Sequence, residues 1–104
     1  MEVKKILLEA AELMRRDVTT YMCHAVSIAL GDIDSYIPEE IRKAGFTYNN
    51  YEKFICKNYL HLEKYLLVQN DYNNAWIIMP QGDGMIFRIL ESKVAFLKYL
   101  ANGQ

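Results

Sequence analysis

With 104 residues and a net charge of −1, the chain has room for one domain, since a second core would need more length. Its hydrophobic content of 52% is at the rich end for a soluble domain, so burial supplies the stability and some apolar surface is left for an interface. Residues 1–45 carry six basic and eight acidic side chains and residues 46–104 carry six and five, which excludes a large single-sign field and weighs against nucleic-acid binding.

The opening stretch MEVKKILLEAAELMRR places Val3, Ile6, Leu7, Ala10, Leu13 and Met14 at helical spacing, with Glu9, Glu12 and Arg16 on other faces, and predicts a helix over 2–15. Its charges exclude a signal peptide or a membrane span, and Glu2 excludes N-myristoylation. Together with two cysteines 33 positions apart, this leads to the expectation of a cytoplasmic protein with reduced thiols. Thr19 or Thr20 is placed to cap a second helix over roughly 20–30. That helix is apolar almost all round, as a central buried helix would be, and Gly31 is suited to end it.

After GDIDS, Pro38 suits the first position of a short helix, PEEIRKAG, with acids at its start and Gly45 at its end. The stretch NNYEKFICKNYLHLEKYLLV comes next, with Asn49 and Glu52 spaced as a capping box. Tyr51, Phe54, Ile55, Tyr59, Leu62 and Leu66 make the stripe of a long helix. Asn70–Asn74 read as a turn, AWIIM as a short buried strand and PQGDG as another turn. MIFRILESKVAFLKYLA has two readings. Ile86, Leu90, Val94, Leu97 and Ala101 fit a helix starting after Asp83, whereas the flanking turns would pair MIFRIL with AWIIM. The fold class expected is a mainly α, compact bundle of three to four helices in a single domain over 1–104, with a short β-hairpin near residues 75–90 as the alternative for that segment.

Several stretches invite a chemical reading. Cys23-His24 and Cys56-x4-His61 supply soft metal ligands, but helix neighbours cannot both face one ion, and residues five apart diverge by more than about 100°. No metal site is expected. Cys23 shares a face with Val26 and Leu30 and reads as a small core hydrophobe, while His24, flanked by Thr20, Ser27 and Gly31, lies on the polar stripe and stays open as a functional residue. GDIDSYIPEE fails as a calcium loop, with Ile37 at the sixth position and Lys43 at the twelfth. PQGDG lacks the Lys-Ser ending of a nucleotide loop, although the first amides of a helix after Asp83 could meet an anion with Arg88 one turn on. Tyr48, Tyr51, Tyr59, Tyr65, Tyr72 and Tyr99 are enough for a stacking platform or an aromatic interface. Ten isoleucines and seven asparagines equally suggest an AT-rich coding bias. Hydrolase, metalloprotease and dithiol motifs are missing, so no enzyme and no cofactor are expected.

Tyr21, Met22, Cys23, Ala25 and Val26, then Ile33, Glu40 and Trp76, and finally Lys93, Phe96, Leu97 and Leu100 together resemble small uncharacterised phage- and prophage-encoded proteins. The resemblance spans most of the chain and rests on packing positions. Lys93 stands where arginine is expected in the closing helix, which puts bidentate recognition there in doubt. What the resemblance implies is a viral origin, action in the host cytoplasm and a non-catalytic protein that works by binding.

Two functions are expected on these grounds. The first is an inhibitor, as a homo-oligomer, that binds and occludes a host defence protein in phage–host conflict. The second is an oligomeric protein that sequesters a nucleotide-like signal. Arg88, Lys93 and His24 would then contact the anion, and Trp76 or tyrosines such as Tyr51 and Tyr59 would stack on the base. A small enzyme using His24 ranks last, because the spacing supplies no partner for it.

Overall fold

The apolar period of the opening stretch folds as a helix. Helix α1 spans Val3–Arg16 and buries Leu7, Ala10, Ala11 and Met14, with Val3, Ile6 and Leu13 half-buried against the same core. The computed structural model describes residues 2–17, 20–31, 37–59, 66–70, 75–79 and 85–103, with side chains described at 2–17, 20–31, 37–59 and 90–103. Helix α2 is Met22–Leu30, with Tyr21 at its N-cap and no side-chain cap. Neither threonine expected as its cap fills that role, since Thr20 precedes the N-cap and Thr19 lies outside the described residues. Gly31 ends the helix as expected, left-handed at φ 85°, the conformation glycine adopts without a Cβ penalty.

Helix α3, Glu39–Lys43, is one short turn with acids first and bases last. Pro38 is its N-cap rather than its first residue. Gly45, at φ 113°, comes just after the helix end, where the sequence places it. Helix α4 runs Tyr48–Asn58 and begins one residue before the expected Asn49. Thr47 is the cap: its Oγ1 accepts from the Asn50 backbone amide at 3.2 Å, while Asn50 Nδ2 donates to the Gly45 carbonyl at 3.0 Å.

Two corrections concern the chain beyond α4. The long helix expected to reach Val68 stops at Asn58, and Leu66–Asn70 is instead strand β1. Strand β2 is Ala75–Met79, the AWIIM segment expected to be extended. The two pair antiparallel, from Leu66 opposite Met79 to Asn70 opposite Ala75. A hairpin therefore forms, but AWIIM takes LLVQN as partner rather than MIFRIL, and Asn70 belongs to a strand. The physical reason lies on both sides of AWIIM. Leu66, Leu67 and Val68 form a short apolar run, which period alone cannot distinguish from a helix end. MIFRIL keeps an unbroken helical period with the residues after it and starts helix α5, Met85–Ala101.

The molecule is thus mainly helical. Helix α1 packs against both α5 and α2, β2 lies beside α2, and α4 contacts α5. The Cα radius of gyration, 12.7 Å, matches the roughly 13 Å of a folded chain of about 100 residues. The core joins Leu7, Met14, Met22, Val26, Ile41, Phe46, Tyr51, Ile55, Phe96 and Leu97. Among the described residues, no helix is long and apolar enough to cross a membrane.

Candidate partner-binding face and the cleft beside it

Helix α2 is buried through Met22, Cys23, Ala25, Val26 and Ser27, yet it is not enclosed. Tyr21, His24 and Ile28 recur at i, i+3 and i+7 and lie along one side. His24 is exposed, and Tyr21 and Ile28 are each 38% exposed. The polar stripe expected from Thr20, His24, Ser27 and Gly31 is therefore displaced. Ser27 turns inward at 6% exposure, and an aromatic and an aliphatic side chain stand beside the histidine. An Ile and a Tyr held outward on a helix otherwise locked into the core make a rigid, amphipathic contact strip.

Cys23 and His24 separate, the thiol buried and the imidazole in solvent, so the pair cannot act on a common ion. Among the described residues, no three His, Cys, Asp or Glu side chains gather where a metal could be held. Cys56 is half-buried, and His61 lies outside the described residues.

Two of the other candidate contacts, Lys93 and Tyr51, are buried away from solvent. Lys93 is only 8% exposed, because it sits between Leu90 and Leu97 on the apolar side of α5. Burial there holds its ammonium below the usual lysine range, an effect the nearby Cys23 thiol partly offsets. Tyr51 is fully buried, as its place in the α4 stripe requires. Burial pushes its phenol far above the ordinary tyrosine value, and a hydrogen-bonding interaction with Ser92 opposes this weakly. Neither Lys93 nor Tyr51 can serve as an accessible contact. The side chains of Arg88 and Trp76 lie outside the described residues.

Among the described residues the tyrosines differ in exposure. Tyr48 and Tyr59 are half-buried and Tyr99 is exposed, while Tyr65 and Tyr72 lie outside the described residues. Partial burial raises the pKa of Tyr48, with Glu52 adding to it. Burial also raises that of Tyr59, with the charge of Glu91 adding to it.

A second feature has no counterpart in the sequence patterns. Between α4 and α5 lies a cleft of about 200 Å³, walled by Lys53, Phe54, Lys57, Tyr99 and Leu100 with Asn50 and Asn58 at its ends. The Phe54 and Tyr99 rings stand 5.1 Å apart between centroids at 40°. Lys53 and Lys57, at i and i+4, are legible as a basic pair on one helix side, but their aromatic neighbour from α5 is not. A larger groove of about 660 Å³ runs along the first turns of α1. Its lining is the mixed-charge outer side of that helix and brings no set of like groups together.

No family model matches the chain, and neither the curated proteins nor the solved structures provide a match.

Proposed function

We propose that this is a non-catalytic binding protein that acts by occluding a host protein, with the Tyr21–His24–Ile28 strip of α2 as its main contact. The observation that carries this reading is the outward placement of Tyr21 and Ile28, each 38% exposed, on a helix whose other side is wholly buried. Anchors of this kind lose little conformational entropy on binding, because the backbone that carries them is already fixed. Tyrosine is also among the residues that dominate binding energy at interfaces. The resemblance to phage proteins supplies the setting, conflict between a phage and its host. A cytoplasmic location and a homo-oligomeric state belong to the same proposal.

The test is capture from a bacterial lysate by the immobilised protein, comparing wild type with Tyr21→Ala/Ile28→Lys. Lysine suits position 28, because the last turn of a helix tolerates a cation well. One host protein retained in stoichiometric amount by wild type and lost by the folded variant is the expected result. Equal retention by both, or none by either, would overturn the assignment. The nucleotide-sequestering alternative loses Lys93 and Tyr51 to burial.

A further inference from the structure

We infer that the α4–α5 cleft is a docking site for an acidic, extended segment of a protein partner. It would hold two carboxylates on Lys53 and Lys57 and one apolar side chain on the Phe54–Tyr99 rings. This rests on reading the protein as a binder but uses a surface separate from the α2 strip.

Lys53 and Lys57 lie one turn apart on α4, about 6 Å between Cβ atoms. Both are exposed, and among the described residues no carboxylate pairs with either. In a chain of net charge −1, two neighbouring exposed cations with no ion pair among the described residues make a local anion-attracting spot without a protein-wide field. The amides at the two ends are already engaged. Asn50 Nδ2 donates to the Gly45 carbonyl and Asn58 Nδ2 to the Phe54 carbonyl, both at 3.0 Å. The two exposed lysines are therefore the cleft's charged donors among the described residues.

The apolar half is built from the core outward. Phe96 is fully buried and holds Phe54 at 5.4 Å between ring centroids. Tyr59 flanks the Phe54 ring at 6.0 Å. Phe54 in turn meets Tyr99, which is 43% exposed. A ring fixed underneath and open above, next to paired cations, fits an apolar side chain that shares one side of an extended segment with two acids.

Size and chemistry choose between anionic occupants. The volume of about 200 Å³ falls below the roughly 300–1,000 Å³ of small-molecule pockets. It admits one or two side chains and would leave most of a nucleotide outside. The cations are lysines, which attract as point charges, and no arginine lines the cleft to take a phosphate bidentately. Carboxylates spaced along an extended strand, about 6.8 Å from i to i+2, are close to the roughly 6 Å between the Cβ atoms of the two lysines.

The test uses the full ¹⁵N-labelled chain and tracks its amide shifts as a short capped peptide, Glu-Ser-Glu-Ser-Leu, is added, which places both acids and the leucine on one side when extended. A lysine–leucine peptide and ATP are the comparison probes. Saturable shifts centred on Lys53, Phe54, Lys57 and Tyr99 are expected with the glutamate peptide alone, weakening several-fold as salt is raised. Lys53→Glu/Lys57→Glu, at two exposed positions, should lose them by at least about tenfold in affinity. Tyr21→Ala/Ile28→Lys should keep them, so failure of the cleft and failure of the α2 strip read out separately. The inference fails if the glutamate peptide gives no saturable shifts, if the lysine peptide does as well, or if the charge reversal changes nothing. It also fails if ATP binds there more tightly than the peptide, which would return the cleft to the nucleotide reading. A doubling of mass by light scattering that Lys53→Glu/Lys57→Glu abolishes would make a second copy the occupant and overturn it too.

Discussion

Lys93 occupies a position that the period of α5 assigns to the core, a turn after Leu90 and a turn before Leu97, and it is buried there. Burial disfavours the ammonium and lowers its pKa from 10.5. Between that lowered value and 10.5 the unfolded chain binds the proton more strongly, so folding stability rises with pH across this window. Tyr51 acts in the opposite sense. Its phenol is held neutral by burial, with a pKa well above 10.0, so the stability it contributes is complete below pH 10 and is lost as the pH climbs toward the folded value. Denaturation midpoints measured against pH should therefore rise and then turn over near pH 10. Lys93→Met keeps an unbranched chain and removes the buried charge. It should stabilise the protein by about 1–2 kcal/mol near neutrality and flatten the rising limb. Tyr51→Phe should instead remove the fall at high pH. A wild-type profile flat from neutrality to pH 10 would contradict the burial of Lys93.

At the scale of elements, the α4–α5 contact is carried by rings. Phe96 meets Phe46, Tyr51 and Phe54 at centroid distances of 6.5, 5.3 and 5.4 Å. Phe96→Ala should cost about 3–5 kcal/mol by denaturant titration, whereas removing the cap with Thr47→Ala should cost only about 1 kcal/mol. Comparable losses in the two variants would show that the ring cluster is not the main join. Gly31→Ala meets no steric obstacle, since nothing lies within 4 Å of the added Cβ. Its cost, about 1–2 kcal/mol, would come from the left-handed backbone alone.

The same elements show how far the fold is legible in the sequence. Wherever one side of a helix is buried over its whole length, as at Leu7, Ala10 and Met14 of α1, the period reveals the helix and its inward face together. The end of α4 defeats that reading, because Tyr59, Leu62 and Leu66 continue a helical spacing while Leu66–Val68 also suits a strand. Pairing with Ala75–Met79 decides the matter, and pairing between separate segments leaves no mark on local period. The site is legible only in part. His24 stands outside the core, as its polar neighbours in sequence suggest. Lys93 reads as a surface cation because charge normally implies exposure, and the fold buries it. Of the α4–α5 cleft only the Lys53–Lys57 pair is legible in the sequence, since Tyr99 is brought from another helix.

Over the whole molecule, the described surface offers two contact regions of different character, the apolar-aromatic strip on α2 and the basic-aromatic cleft between α4 and α5. On the proposed reading the protein presents Tyr21 and Ile28 of α2 to a partner, and the burial of the rest of that helix holds them in place. The most direct measurement is native mass spectrometry, with light scattering, of the protein purified without denaturation from host cells. A non-covalent complex of the 12.2 kDa chain, or a small multimer of it, with one host protein at fixed stoichiometry is the result expected. Only the free chain, or the chain carrying a retained nucleotide in place of a protein, would contradict it.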